Sequence, residues 1–134
     1  MATDSILKKR LFRIGVRVVV AIILAQSLFF KLTGTPESVS LFRQLGLEPL
    51  GRYAVGGLEL ILVVMLFVPK LVGWAALAIT LLLLGALYFH ATVLGFSGTM
   101  ASLVLLAGIG LGGALMTLNW YWRDLLRRPR LKKR

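Results

Sequence analysis

The chain has 134 residues, 58% hydrophobic and 16% charged, with a formal net charge of +11 and no cysteine. A soluble domain of this size is nearer half apolar and a quarter charged. The mean hydropathy of +0.87 therefore points to a single integral membrane domain over 1–134, with room for four spans of about 20 residues. The lack of cysteine excludes disulfides, thiolate metal sites and redox chemistry through paired thiols, and no nucleic-acid partner is expected, because the basic clusters flank apolar spans, where cytoplasmic positive charge belongs.

Residues 1–10 read as a short polar tail. The first apolar run, 14–32, is the first predicted span, with Arg17 near enough to its start to snorkel to the interface. It is read as a span and not as a cleaved leader, because Leu28, Phe29 and Phe30 continue the apolar run where small residues would precede a cleavage point. The stretch "TGTPESVSLFRQLGLEPL" (33–50) changes character. Thr35 and Pro36 suit a helix start, and Val39, Phe42 and Leu45 recur at helical spacing with Glu37, Arg43 and Gln44 off that stripe. The spacing predicts a short amphipathic helix over about 36–45, lying in the interface and ended by Gly46. The second span is predicted at 52–68, stopped by Pro69, with Lys70 in a tight turn. The third follows at 71–94, "GFSGT" (95–99) is an uncharged turn, and the fourth runs over 100–122 into the aromatic "NWYW" and the basic "RRPRLKKR", a tail suited to anionic lipid.

The fold class predicted is thus all-α: an integral membrane four-helix bundle with an interfacial helix in the first outer loop. Thirteen of the sixteen basic residues fall on the side of the termini, which orients both termini to the cytoplasm and 33–50 outward. Small-residue pairs, Ala21/Ala25, Gly56-Gly57, Gly85-Ala86 and Gly108/Gly112, are candidate close-packing faces, the last also a candidate homodimer face. Asp4 and Asp124 read as solvent-side residues without partners.

Polar residues inside the spans are the candidate site. At 1.5 Å rise per residue, Gln26 and Glu59 sit about 10 Å, and His90 about 7–8 Å, below the outer surface, with Lys31 and Arg52 as a basic rim above them. Arg52, Gly56 and Glu59 share a helical face, so Arg52 is expected to reach down toward the Glu59 carboxylate. Two readings stand side by side. In one, Gln26, Lys31, Arg52, Glu59 and His90 form a pocket for a quinone or lipid head group, or a proton relay through Glu59 and His90. In the other, Glu59 forms an internal pair with His90 or with an arginine or lysine, and the pair only sets helix register. No metal site is expected, since one histidine cannot build one.

The segments "FFKLTGTPESVSLFRQLGLEPLGR", "GGLELILVVMLFVPK" and "GALYFHATVLG", in that order from Phe29 to Gly95, resemble the DoxX family of small four-helix bacterial membrane proteins. The family takes its name from a likeness to a membrane subunit of a thiosulfate:quinone oxidoreductase. The resemblance implies a bacterial inner-membrane location and marks Lys31, Glu37, Arg52, Glu59 and His90 as motif positions without assigning them a reaction. The short, uncharged "GFSGTM" departs from relatives with acidic or glycine-rich residues there. The expectation that follows is an accessory subunit of a membrane redox or electron-transfer system with a redox-enzyme partner. No independent catalytic activity is expected, and quinone is the one cofactor admitted. The alternatives are a small proton-coupled transporter and a purely structural membrane scaffold.

Overall fold

The computed structural model describes residues 1–127; the basic tail from 128 onward, with its expected lipid contact, lies outside the described residues. The described chain is helical, with no strand: α1 (Ala2–Thr33), α2 (Pro36–Gln44), α3 (Leu50–Met65), α4 (Val72–Phe89), a π-helical turn (His90–Leu94) and α5 (Thr99–Arg127). Three of these segments are long and apolar enough to cross a membrane: α1, α4 with its π turn, and α5. At 16 residues, α3 is shorter than the three, about 24 Å at 1.5 Å per residue.

The residues expected to form a polar tail are helical instead. Nothing between Ala2 and Gly15 breaks a helix, and once the apolar span has nucleated, each further residue adds a hydrogen bond at little entropic cost. α5 likewise runs beyond the expected 122 to Arg127. The protruding ends of the two helices meet. Arg13 pairs with Asp124 at 2.6 Å, its guanidinium lies 5.4 Å from the Trp120 ring centroid, and Phe12 meets Trp120 edge-on. Asp124 therefore has a partner, contrary to the sequence expectation. Arg17, expected to snorkel, instead donates to the Leu66 carbonyl at 3.3 Å. There it satisfies a carbonyl at the C-terminal end of α3, where a cation is favoured.

Helix α1 stops at Gly34, which adopts φ 70°, a left-handed conformation that favours glycine. Thr35 precedes Pro36 at the start of α2, though its side chain makes no capping bond. Gly46, also at φ 70°, follows the end of α2 as expected.

The long helices run up and down. Along α3, Gly56 lies against Lys31 and Leu32 of α1, Glu59 bonds to Ser27 and Lys31, and Leu66 meets Arg17, which is an antiparallel register. α5 opposes α4, with Gly73 against Tyr121 and Leu83 against Gly110, and it opposes α1, with Val20 against Gly113. The core between them is Val20, Leu24, Leu62, Leu66, Ala75 and Ile79 with their neighbours. The inward face of α5 is Ala107, Gly110, Ala114 and Thr117. Gly108 and Gly112 are exposed, and a Cβ added at either would meet nothing within 4 Å. The close helix contacts are therefore made at Gly110 and Gly113 and not at the GxxxG pair.

Candidate functional site

The site lies where α1, α3 and α4 approach the end of the molecule covered by α2. Glu59 is 4% exposed. An ionised carboxylate buried to that degree needs a cation and further hydrogen bonds, and α1 supplies both from one face. Lys31 Nζ donates to Glu59 Oε1 at 2.9 Å and Oε2 at 3.1 Å, and Ser27 Oγ donates to Oε1 at 3.1 Å. Lys31 also donates to the Ser27 hydroxyl. Ser27 and Lys31 are one turn apart, so the long lysine stem lies back along the helix and carries its charge to the carboxylate.

Arg52 behaves differently from the expectation. It is 4% exposed but turns away from Glu59. Its Nε donates to both oxygens of Glu48 at 3.0 and 2.9 Å, and a terminal nitrogen donates to Oε1 at 2.9 Å. Its other terminal nitrogen donates to the Lys31 carbonyl at the end of α1, and its guanidinium lies 4.4 Å from the Tyr53 ring centroid. The fork geometry of arginine suits this bidentate pairing. Hydrogen bonding to Arg52 holds the Glu48 carboxyl below its ordinary value. Arg52 thus ties the α1 exit to the start of α3. Its close neighbour Gly34 leaves room for the guanidinium, 3.4 Å from where a Cβ would stand.

His90 opens the π turn, in which the Gly95 N–H donates to the His90 carbonyl at 2.8 Å. Single π turns in helices are frequent at functional sites. The ring is 6% exposed. Its Nδ1 lies 2.8 Å from the Ala86 carbonyl, while Nε2 is buried with no partner among the described residues. It makes no hydrogen bond to Glu59.

Gln26, Ser27, Lys31, Glu59 and His90 nevertheless share one feature. All line a cavity of about 680 Å³ to which all five α-helices contribute. Its walls are mainly apolar, with Leu24, Leu41, Phe42, Leu83, Leu103 and Leu106 among them, and α2 adds Glu37 and Ser38. Gln26 borders the cavity from an exposed position, and Arg52 does not border it. Of the five residues singled out from sequence, the structure therefore brings four to one cavity and places the fifth in a separate brace. Sequence reasoning missed Ser27 as a partner of Glu59. It also missed Glu48, although the i, i+4 spacing of Glu48 and Arg52 is itself a pairing signal.

The DoxX-like family matches residues 15–112, which holds α2, α3, α4, the π turn and every residue of the cavity's polar end. The chain belongs to the DoxX-like family. This DoxX-like chain, with its long apolar helices, is a membrane protein. No curated protein and no solved structure matched it.

Proposed function

We propose that this DoxX-like protein is a four-crossing membrane subunit that holds a small amphipathic molecule of the quinone or lipid class and serves a membrane redox partner. In this reading α3 is the fourth crossing, both termini are cytoplasmic, and α2 lies at the outer surface over the cavity. The observation that carries the proposal is the cavity of about 680 Å³ whose mainly apolar lining includes His90 and both residues of the buried Lys31–Glu59 ion pair. Its volume falls within the range of small-molecule sites, about 300–1,000 Å³. A void of that size left unfilled would weaken the bundle, and a polar end with an apolar body suits an amphipath.

The chain supplies no cysteine and only one histidine, so an electron would pass through the bound molecule and a partner protein, which is the role of an accessory subunit. The experiment is purification in mild detergent, solvent extraction and mass spectrometry, with wild type compared with Gly85→Leu. Gly85 lines the cavity and has nothing within 4 Å of where a Cβ would stand, so a leucine there starts into open space and takes up cavity volume. The expected result is one retained quinone or lipid species in wild type, lost from the variant. Equal content in both proteins, or none in either, overturns the proposal. A co-purifying redox enzyme supports the accessory role, and its absence after cross-linking in membranes counts against that role.

A further inference from the structure

Helices α1 and α5 touch at one level and part at the next. A Cβ added at Gly113 would stand 2.5 Å from Val20 Cγ2, and one added at Gly110 would stand 3.5 Å from Ile23 Cγ2. Two helical turns toward the α2 end, the same stripes carry Ser27 and Phe30 on α1 and Leu106 and Leu103 on α5. The antiparallel register that sets Val20 beside Gly113 and Ile23 beside Gly110 sets Phe30 opposite Leu103. All four of these residues line the cavity, so α1 and α5 spread apart toward that end. Among the described residues α2 packs on α1, α3 and the π turn and not on α5, so it leaves the widening gap uncovered.

Exposure shows where the cavity meets the outside. Leu24, Phe42, Leu83 and Ala107 line it and are each at most 8% exposed. Facing the cavity therefore leaves a side chain covered, and a lining residue that is also exposed stands at a mouth. In the gap between α1 and α5 these are Gln26, Phe30 and Thr99. Leu81 and Phe89 of α4 mark a second edge, toward α3, but there Glu59, the α3 residue at the polar end, is 4% exposed and that side is shut. Gln26 is also a polar residue exposed within an apolar span, a costly placement unless it serves a polar group. Its amide both donates and accepts, which suits a head group passing the mouth.

We infer that the cavity takes its occupant sideways from the outer half of the bilayer, through the gap between α1 and α5. The head of a long-chain amphipath lies inside, and its tail leaves between Phe30 and Leu103 into the lipid. The inference rests on the proposed reading of the cavity as a ligand site and deepens it, since it names a bilayer-resident molecule whose tail length the cavity does not limit. A chain that moves sideways stays in apolar surroundings throughout, whereas entry past α2 from water would first take every methylene out of the lipid.

The test uses wild-type full-length protein in phosphatidylcholine nanodiscs and one probe, a long-chain alcohol with a photoreactive diazirine near the end of its chain. Adducts are mapped by peptide mass spectrometry after irradiation. Those displaced by excess unlabelled alcohol and absent from Gly85→Leu count as specific. Specific adducts are expected at Phe30 and Leu103. Specific adducts confined to Leu81 and Phe89, to Glu37 and Leu47 at the α2 end, or to buried residues such as Leu24 and Leu83 overturn the inference while leaving the cavity a ligand site. No specific adduct at any lining residue overturns the ligand-site reading and the inference with it. A second measurement closes the gap. The chain has no cysteine, so Phe30→Cys combined with Leu103→Cys can be bridged by a bifunctional maleimide, with the unbridged double variant as the control for folding. Bridging before the probe is added is expected to abolish specific labelling, and undiminished labelling of the bridged protein overturns the inference.

Discussion

Lys31 Nζ and Glu59 Oε1 lie 2.9 Å apart with side-chain exposures of 15% and 5%, an ion pair that fastens α1 to α3 at the edge of the cavity. Removing one partner strands the other charge in a low-dielectric site, at a cost of about 3 kcal/mol or more, whereas replacing both by apolar groups of similar size is often neutral. Lys31→Met and Glu59→Gln are each expected to lower the thermal midpoint in detergent markedly. Lys31→Met combined with Glu59→Leu is expected to recover most of the loss. A double variant as unstable as the sum of the singles would mean that the pair contributes no coupling.

Arg52 and Glu48 form a second brace, outside the cavity, and it is sensitive to acid. The sign follows from the depressed Glu48 carboxyl. In the folded state it holds its proton less readily than when unfolded, so the stabilisation is present above the ordinary carboxylate value and is lost as pH falls through the lower, folded one. The midpoint of wild type is expected to drop as pH falls below the ordinary carboxylate value of 4.5. Glu48→Gln should begin lower at neutral pH and drop less. The difference between the two curves isolates Glu48 from Asp4, Glu37, Asp124 and Glu59, and parallel curves would contradict the assignment.

Helix positions were legible because composition and punctuation act locally. Pro36 opens α2, Gly34 and Gly46 follow the helix ends, and Pro69 lies in the turn after α3. The shared level of three polar residues was legible too, since helix rise is constant, and Gln26, Glu59 and His90 do border one cavity. The choice of partners was not legible. Whether Arg52 turns inward to Glu59 or outward to Glu48 depends on the rotation of α3 against α1, which follows from the packing of Gly56 on Leu32 and Lys31. That rotation also brings the Lys31 stem, and not Arg52, onto the carboxylate. The part of α2 in the cavity was not legible for the same reason, because Phe42 and Leu41 line it only through how the short helix lies across the ends of the others.

Glycine contacts separate internal packing from free surface on α5. A Cβ added at Gly113 would stand 2.5 Å from Val20 Cγ2, and Val20 is fully buried, whereas Gly112 meets nothing within 4 Å. Gly113→Ala is expected to push α5 off α1 and destabilise by about 1–3 kcal/mol. Gly112→Ala should be neutral or slightly stabilising through better helix propensity. Analytical ultracentrifugation of Gly108→Leu and Gly112→Leu adds the oligomeric state. Loss of a dimer in these variants with unchanged monomer stability would assign the GxxxG face to self-association, and an unaltered sedimentation profile would remove it from consideration.

The number of crossings turns on α3, and the chain's lack of cysteine allows a clean measurement with single-cysteine variants. Ser5 lies at the start of α1, Ser40 on α2 and Ser97 in the turn before α5, all exposed. If α1, α3, α4 and α5 all cross, Ser40 and Ser97 share the outer face and Ser5 lies within. If α3 does not cross, α4 returns the chain inward and Ser97 joins Ser5. The structure favours the first arrangement on two counts. Phe42 of α2 lines the same cavity as Leu94 and Thr99 beside the α4–α5 turn, so these segments occupy one end of the molecule. Leu66, at the far end of α3, meets Arg17, fourteen residues and about 21 Å of helix rise from Lys31. An impermeant maleimide added to intact cells is therefore expected to label Ser40→Cys and Ser97→Cys, and to label Ser5→Cys only after permeabilisation. Protection of Ser97→Cys in intact cells would leave three crossings and place α3 in the outer interface, with the Lys31–Glu59 pair at the membrane surface.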